Sequence, residues 1–129
     1  MLSDHPVYVT IATADMARAR AFYEGTLGFK VEADGAEGGV HYRSGATRFY
    51  LYPSQFAGHA QHTLASWLVD DVEREVAELT DRGVAFEKYD LPGLKTDERG
   101  IADLGGATQA AWFKDPDGNI LNVEQSPLS

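Results

Sequence analysis

Trp112-Phe113-Lys114-Asp115-Pro116-Asp117-Gly118-Asn119-Ile120-Leu121-Asn122-Val123-Glu124 reads as a strand, a tight turn and a second strand. Pro116 fits the fixed φ of the second turn position, and Gly118 or Asn119 can take positive φ. The flanks are aromatic and β-branched, as the arms of a hairpin require.

Upstream, the chain states one plan twice. Val7 to Ala12 alternates, with Val7, Val9 and Ile11 on one face and Tyr8, Thr10 and Ala12 on the other, the period of a strand. Asp15 is suited to cap a helix, because its carboxylate can accept from the free amides of a first turn. Met16, Ala19, Phe22, Tyr23 and Leu27 follow at helical spacing, and Gly28 can close the helix in the left-handed region. A strand is expected from Phe29 to Glu32, and the glycine-rich stretch 34–39 reads as a turn. A hairpin follows, Val40 to Arg43 and Arg48 to Tyr52. In the second half, Leu64 to Val69 is a strand, with Ala65, Trp67 and Val69 on the face expected to be covered. Asp70 and Asp71 offer caps, Val72, Val76 and Leu79 form a helical stripe, and Gly83 ends it. Val84 to Glu87 reads as the next strand, before the quoted hairpin.

The pairs Asp15-Met16 and Asp71-Val72 stand 56 positions apart, each after a strand and before a helix that ends in glycine. Such repetition at a fixed offset is the strongest fold signal in the chain. It predicts an α+β domain over residues 1–129, built from two βαβββ repeats at about 6–53 and 62–125. Each helix covers only one face of its sheet. Pairing the curved sheets would bury the other faces and enclose a groove.

Totals narrow the function. The net charge of −9 and pI near 4.7 argue against a nucleic-acid partner, which needs a basic face. They favour cationic ligands at long range. The absence of cysteine excludes disulfides, thiol nucleophiles and thiolate metal sites, and agrees with a cytoplasmic protein. No apolar run approaches the roughly 20 residues of a membrane span, and Met1 to Pro6 lacks the regions of a secretory signal. No catalytic triad order, phosphate loop or nucleotide fingerprint occurs.

The repeat, Asp15-Met16 with Phe22-Tyr23 and Leu27-Gly28-Phe29, then Val69-Asp70-Asp71-Val72, then the quoted hairpin, together resemble the vicinal oxygen chelate superfamily over residues 6 to 125. That superfamily includes glyoxalase I, extradiol dioxygenases and bleomycin-resistance proteins. The resemblance implies the paired-repeat fold and, in metal-binding members, four inward-facing His or Glu ligands holding a divalent ion. Carried over, the first position falls on Tyr8 and the third on Leu64. The fourth is Asn122, and the second is Phe49, Tyr50 or Leu51. No Asp or Glu occurs between Gly38 and Val69, so the second position cannot be acidic. Leucine cannot coordinate a metal, and a neutral Asn is a poor ligand for Zn, Ni or Fe. The expectation is therefore no metal or other cofactor. A divalent ion held by shifted residues, His62 and Glu124, is the alternative, although opposite offsets on parallel strands would separate them by about 13 Å.

The leading reading is metal-independent binding of a small organic molecule, a cationic drug or a metabolite, in the manner the bleomycin-resistance resemblance implies. The alternative is a lyase, isomerase or dioxygenase with a rearranged site. The candidate ligand-binding residues are Tyr8, Thr10, His41, Phe49, Leu51, Leu64, Ser66, Trp112, Asn122 and Glu124; no catalytic residue is assigned. Working groups of a rearranged enzyme would be His41, His62, Glu124 or Tyr8. The long glycine-rich stretch 89–106 reads as a lid or an ordered connection. A homodimer is expected from the resemblance, with no membrane or nucleic-acid partner.

Overall fold

The computed structural model describes residues 1–129. Two compact units make up the chain, Met1–His59 and Ala60–Ser129, each holding one four-stranded sheet and one helix.

In the first unit, β1 (Val9–Thr13) leads to helix α1 (Met16–Arg20), followed by β2 (Val31–Asp34), β3 (Val40–Ser44) and β4 (Thr47–Pro53). The sheet order is β1-β4-β3-β2, with β1 and β4 parallel and the other neighbours antiparallel. Asp15 caps α1, its carboxylate accepting from the Arg18 amide at 3.1 Å. The helix then widens to a π-type turn over Ala21–Thr26, where the Leu27 amide donates to the Phe22 carbonyl at 2.9 Å. Gly28, at φ 81°, turns the chain, and the Phe29 amide donates back to the Tyr23 carbonyl at 2.9 Å. Phe29 is thereby drawn, half-buried, against the aromatic side chains of the sheet, and β2 starts at Val31, two positions later than expected. Its ring lies edge-on to Phe49, with centroids 5.0 Å apart, and Tyr23 stacks on Tyr42 at 6.2 Å. Ile11, Val40 and Leu51 complete the buried layer.

The second unit repeats the order: β5 (Thr63–Leu68), α2 (Val72–Asp81), then β8 (Ile101–Gly105), β9 (Thr108–Lys114) and β10 (Ile120–Gln125). Its sheet runs β5-β10-β9-β8, again with the first pair parallel. Asp71 caps α2 by accepting from Arg74 at 3.1 Å, the counterpart of Asp15. Val72, Val76 and Leu79 are the buried stripe of α2.

Two expectations change here. Val84 to Glu87 does not form a strand; it makes a single bridge, Phe86 to Phe113, and the Glu87 amide donates to the Trp112 carbonyl at 2.8 Å. The fourth strand of the sheet is β8, inside the stretch 89–106. That stretch also holds a short hairpin of β6 (Asp90–Leu91) and β7 (Leu94–Lys95). Gly100, at φ 95°, lies against the Phe86 side chain and turns the chain into β8. Thus 89–106 is an ordered connection that contributes a sheet strand.

The quoted hairpin is anchored by Asp115, which is only 5% exposed. One carboxylate oxygen accepts from the amides of Asp117 and Asn119, both at 3.0 Å, and the other accepts from Asn119 Nδ2 at 2.9 Å. Gly118, at φ 89°, supplies the positive φ the turn needs. The turn fixes the register of β10 on β9, which pairs Asn122 with Trp112.

Candidate functional site

Each sheet has one face packed under its helix and one face without a helix. In the first unit, strand alternation puts Ile11, Tyr42, Phe49 and Leu51 under the helix and Thr10, His41, Tyr50 and Tyr52 on the other side. Phe49 and Leu51, expected to line a ligand site, therefore belong to the helix-covered core. Their parity puts them in register with Val9 and Ile11, and Phe49 is in ring contact with Tyr23 and Phe29. Of the three residues considered for the second ligand position, Tyr50 alone points away from the helix.

The helix-free face of this unit is an aromatic row. Tyr8, 47% exposed, meets the His41 ring edge-on at 5.7 Å. His41 stacks on Tyr50 at 4.4 Å, and Tyr50 in turn stacks nearly parallel to Tyr52 at 5.8 Å. Tyr50 is held firmly: its hydroxyl donates to the Ala36 carbonyl at 2.8 Å, and Gly35 and Gly39 pack so closely on its ring that neither could carry a Cβ without displacing it. His41 Nδ1 is buried and has no hydrogen-bond partner. At one end of the row, Arg43 and Arg48 share the Glu32 carboxylate at 3.0 and 3.1 Å.

In the second unit, Ser66, Trp112, Asn122 and Glu124 occupy the helix-free face, and Ala65, Trp67, Phe113, Leu121 and Val123 the covered one. Leu64 sits at a bulge between the Thr63–Ile120 and Ala65–Leu121 pairs. The shift in alternation brings Thr63 to Trp112, whose indole N–H donates to the Thr63 hydroxyl at 3.1 Å. Tyr89, from the 89–106 connection, meets the Trp112 ring edge-on at 5.8 Å. Asn122, 5% exposed, lies between Ser66 and Trp112, and its Oδ1 has no hydrogen-bond partner. Glu124 pairs with Leu68, well up the sheet from His62. At about 3.3 Å per residue the two lie roughly 20 Å apart along the strands, so they cannot share one ion.

The repeat fixes which residues correspond. Moving 56 positions takes Thr10 to Ser66, and these pair in parallel with Tyr50 and Asn122. Tyr50 is thus the counterpart of Asn122, and His41 that of Trp112. With this correspondence, the four positions that the family resemblance assigns to metal ligands would be Tyr8, Tyr50, Leu64 and Asn122. Two phenols, a hydrocarbon and a neutral amide are the wrong donors for a divalent ion, and one phenol is already bonded to a carbonyl. Nowhere in the chain do three His, Cys, Asp or Glu side chains gather as a metal site would need. Tyr52 and Thr63 were not among the expected site residues; Tyr50 was one of three candidates for the second ligand position, and the 56-residue offset singles it out.

A polar cluster lies under α1. Arg20 Nε donates to Glu24 at 2.6 Å, and the buried Tyr42 hydroxyl donates to the same oxygen at 2.7 Å. Hydrogen bonding to Arg20 holds the Glu24 carboxyl below its ordinary range, while burial, with the Glu24 bond, raises the Tyr42 phenol. This cluster faces the helix, away from the aromatic row. A separate cavity of about 490 Å³ lies beside α2, lined by Val76, Thr80, Val84, Phe86 and Arg99, and none of the expected site residues borders it. No helix is long and apolar enough to cross a membrane.

The family model described as Glyoxalase/Bleomycin resistance protein/Dioxygenase superfamily matches residues 5–123. No curated protein matches the chain. Among solved structures, TnmS3, an antibiotic binding protein from Streptomyces sp. CB03234, is 24% identical with a TM-score of 0.64, covering 95% of each chain. Lactoylglutathione lyase from Agrobacterium tumefaciens is 17% identical at a TM-score of 0.66, covering 96% of this chain and 95% of the other. A glyoxalase/bleomycin resistance protein/dioxygenase from Nocardioides is 16% identical at 0.66, covering 95% and 84%. At these identities the similarity speaks to the fold alone.

Proposed function

The chain belongs to the glyoxalase/bleomycin resistance protein/dioxygenase superfamily, and from that premise we propose that it binds a small organic molecule without a metal ion. The observation that carries this reading is the row Tyr8, His41, Tyr50 and Tyr52. Aromatic faces left uncovered by their own helix are built for apolar, flat or cationic ligands, by stacking and by attraction of a cation to the ring face. The donor set at the family's metal positions supports the metal-free part of the proposal. The net charge of −9 adds a preference for cations. Sequestration requires only complementarity, and TnmS3, of the same fold, is an antibiotic binding protein. The proposal includes a homodimer in the cytoplasm, with Thr10, Ser66 and Glu124 at the margins of the two helix-free faces.

Calorimetric titration of chelator-treated protein with bleomycin-type cationic glycopeptides and a metabolite panel tests it. Saturable binding to at least one compound is expected. Well-folded protein that binds nothing would sink the proposal. An enzymatic reading draws support from His41, whose buried Nδ1 is unpartnered beside Tyr8. It predicts turnover lost in His41→Ala, and stoichiometric Ni, Zn, Mn or Fe in untagged protein would favour it.

A further inference from the structure

We infer that Asn122 selects the ligand: its buried side-chain carbonyl accepts a hydrogen bond from an N–H or O–H group of an aromatic molecule seated against Trp112. This rests on the reading of the chain as a small-molecule binder and adds to it a residue and a chemical requirement.

Asn122 Oδ1 is a buried acceptor with no donor inside the protein. Buried polar groups are nearly always paired, and leaving one unpaired costs about 1–3 kcal/mol of desolvation. Across the antiparallel pair from Asn122 stands Trp112, whose indole N–H is already committed to Thr63 at 3.1 Å. The residue beside it on the parallel strand is Ser66, which is exposed, so the adjoining position on the same face is open to solvent.

The counterpart position in the first unit behaves differently. Tyr50 occupies the equivalent place in β4 and its polar atom is satisfied by the Ala36 carbonyl. At this position the orphaned acceptor belongs to the second repeat; in the first, the unpartnered buried atom is His41 Nδ1, at the counterpart of Trp112. An amide paired across the strands with a tryptophan presents one acceptor and one stacking surface. That combination fits a planar molecule with a donor on its edge. A site built to hydrogen-bond a donor rejects the analogue that lacks it, because the buried acceptor is then left unpaired again.

Matched probe pairs test this: indole against N-methylindole, and phenol against anisole, titrated into wild-type protein and Asn122→Leu, with NMR shifts of the Trp112 indole as the readout. Wild type is expected to bind the donor-bearing member of each pair at least about tenfold more tightly, equivalent to 1.4 kcal/mol, and Asn122→Leu to bind both members alike. Thermal unfolding of ligand-free Asn122→Leu is expected at the wild-type temperature or above it, because leucine of similar volume removes the unpaired acceptor.

Equal affinity within each pair for wild type, or a preference for anisole over phenol, overturns the role of Asn122 and leaves small-molecule binding standing. Absence of binding by all four probes, together with failure of the glycopeptide and metabolite panel, overturns both. A lower unfolding temperature for Asn122→Leu overturns the unpaired state of Oδ1. The wild-type pair comparison decides the question even if the variant does not fold.

Discussion

Replacing Asp115 with alanine should cost a large share of the stability of the second unit, and the size of the loss can be worked from the turn itself. Asp115 accepts three hydrogen bonds, from the amides of Asp117 and Asn119 at 3.0 Å and from Asn119 Nδ2 at 2.9 Å. Asn119 is 2% exposed, so its two donors cannot turn to water when the carboxylate is removed. Each buried donor left unpaired costs about 1–3 kcal/mol, giving about 2–6 kcal/mol for the pair. Domains of this kind have only about 5–15 kcal/mol in total. Asp115→Asn keeps one carbonyl for the two backbone amides and loses the charge, and should cost roughly half as much. Urea denaturation followed by far-UV circular dichroism measures both, as a shift in midpoint at unchanged slope. A loss below about 1 kcal/mol for Asp115→Ala would refute the view that this carboxylate organises the hairpin and, through it, the pairing of Asn122 with Trp112.

Other expectations are more local. Gly39→Ala should destabilise by about 1–3 kcal/mol although its φ of −73° suits any residue, because the new methyl meets the Tyr50 ring; denaturation of the variant checks it. Asp15→Ala and Asp71→Ala should each cost about 1 kcal/mol through loss of a helix cap, and a difference above about 1 kcal/mol between them would break the equivalence of the repeats. Glu24 is held below its ordinary value of 4.5, so it contributes stability present above that pH and lost as pH falls through its lower folded value. Tyr42 is raised above 10.0, so its contribution is present below pH 10 and is lost as pH rises beyond it. Glu24→Gln should flatten the acid limb of a stability-against-pH curve, and Tyr42→Phe the alkaline limb.

The sequence made the repeated plan legible because its punctuation is chemical. Asp15 and Asp71 are caps that do what carboxylates at those positions do, and Gly28 and Gly83 take the positive φ that ends each helix. The Asp-Pro-Asp-Gly-Asn turn was readable as a turn, but the buried role of Asp115 was not, since nothing in a sequence shows which carboxylate is enclosed. Strand β8 was missed because Ile101-Ala102-Asp103-Leu104-Gly105 alternates weakly and is surrounded by glycine, whereas Val84 to Glu87 imitates a strand. Its apolar residues bury against the sheet without joining the ladder.

Alternation and the family resemblance point Tyr8, Trp112 and Asn122 toward the expected groove and leave His41 and Tyr42 as alternatives; in the structure Tyr8, His41, Trp112 and Asn122 fall on the helix-free faces. The side taken by Phe49 and Leu51 was not legible, because a strand of seven residues that is apolar or aromatic at four successive positions has no pattern to show which face is covered. Only pairing with β1 settles it, through the register of Phe49 with Val9 and Tyr50 with Thr10. The bulge at Leu64 was equally invisible, since it depends on how β5 meets β10.

Metal-free binding through the aromatic row is the central claim, and one measurement addresses it directly. Protein stripped by a chelator, and the same protein supplied in turn with Zn, Ni, Mn and Fe, is titrated calorimetrically with the tightest compound from the glycopeptide and metabolite panel, alongside Tyr8→Ala. The account predicts the same affinity with and without every metal and at least about tenfold weaker binding in Tyr8→Ala, an exposed residue whose removal leaves the core intact. Binding that appears only when a stoichiometric metal is restored, or that is unaffected by Tyr8→Ala, would contradict it.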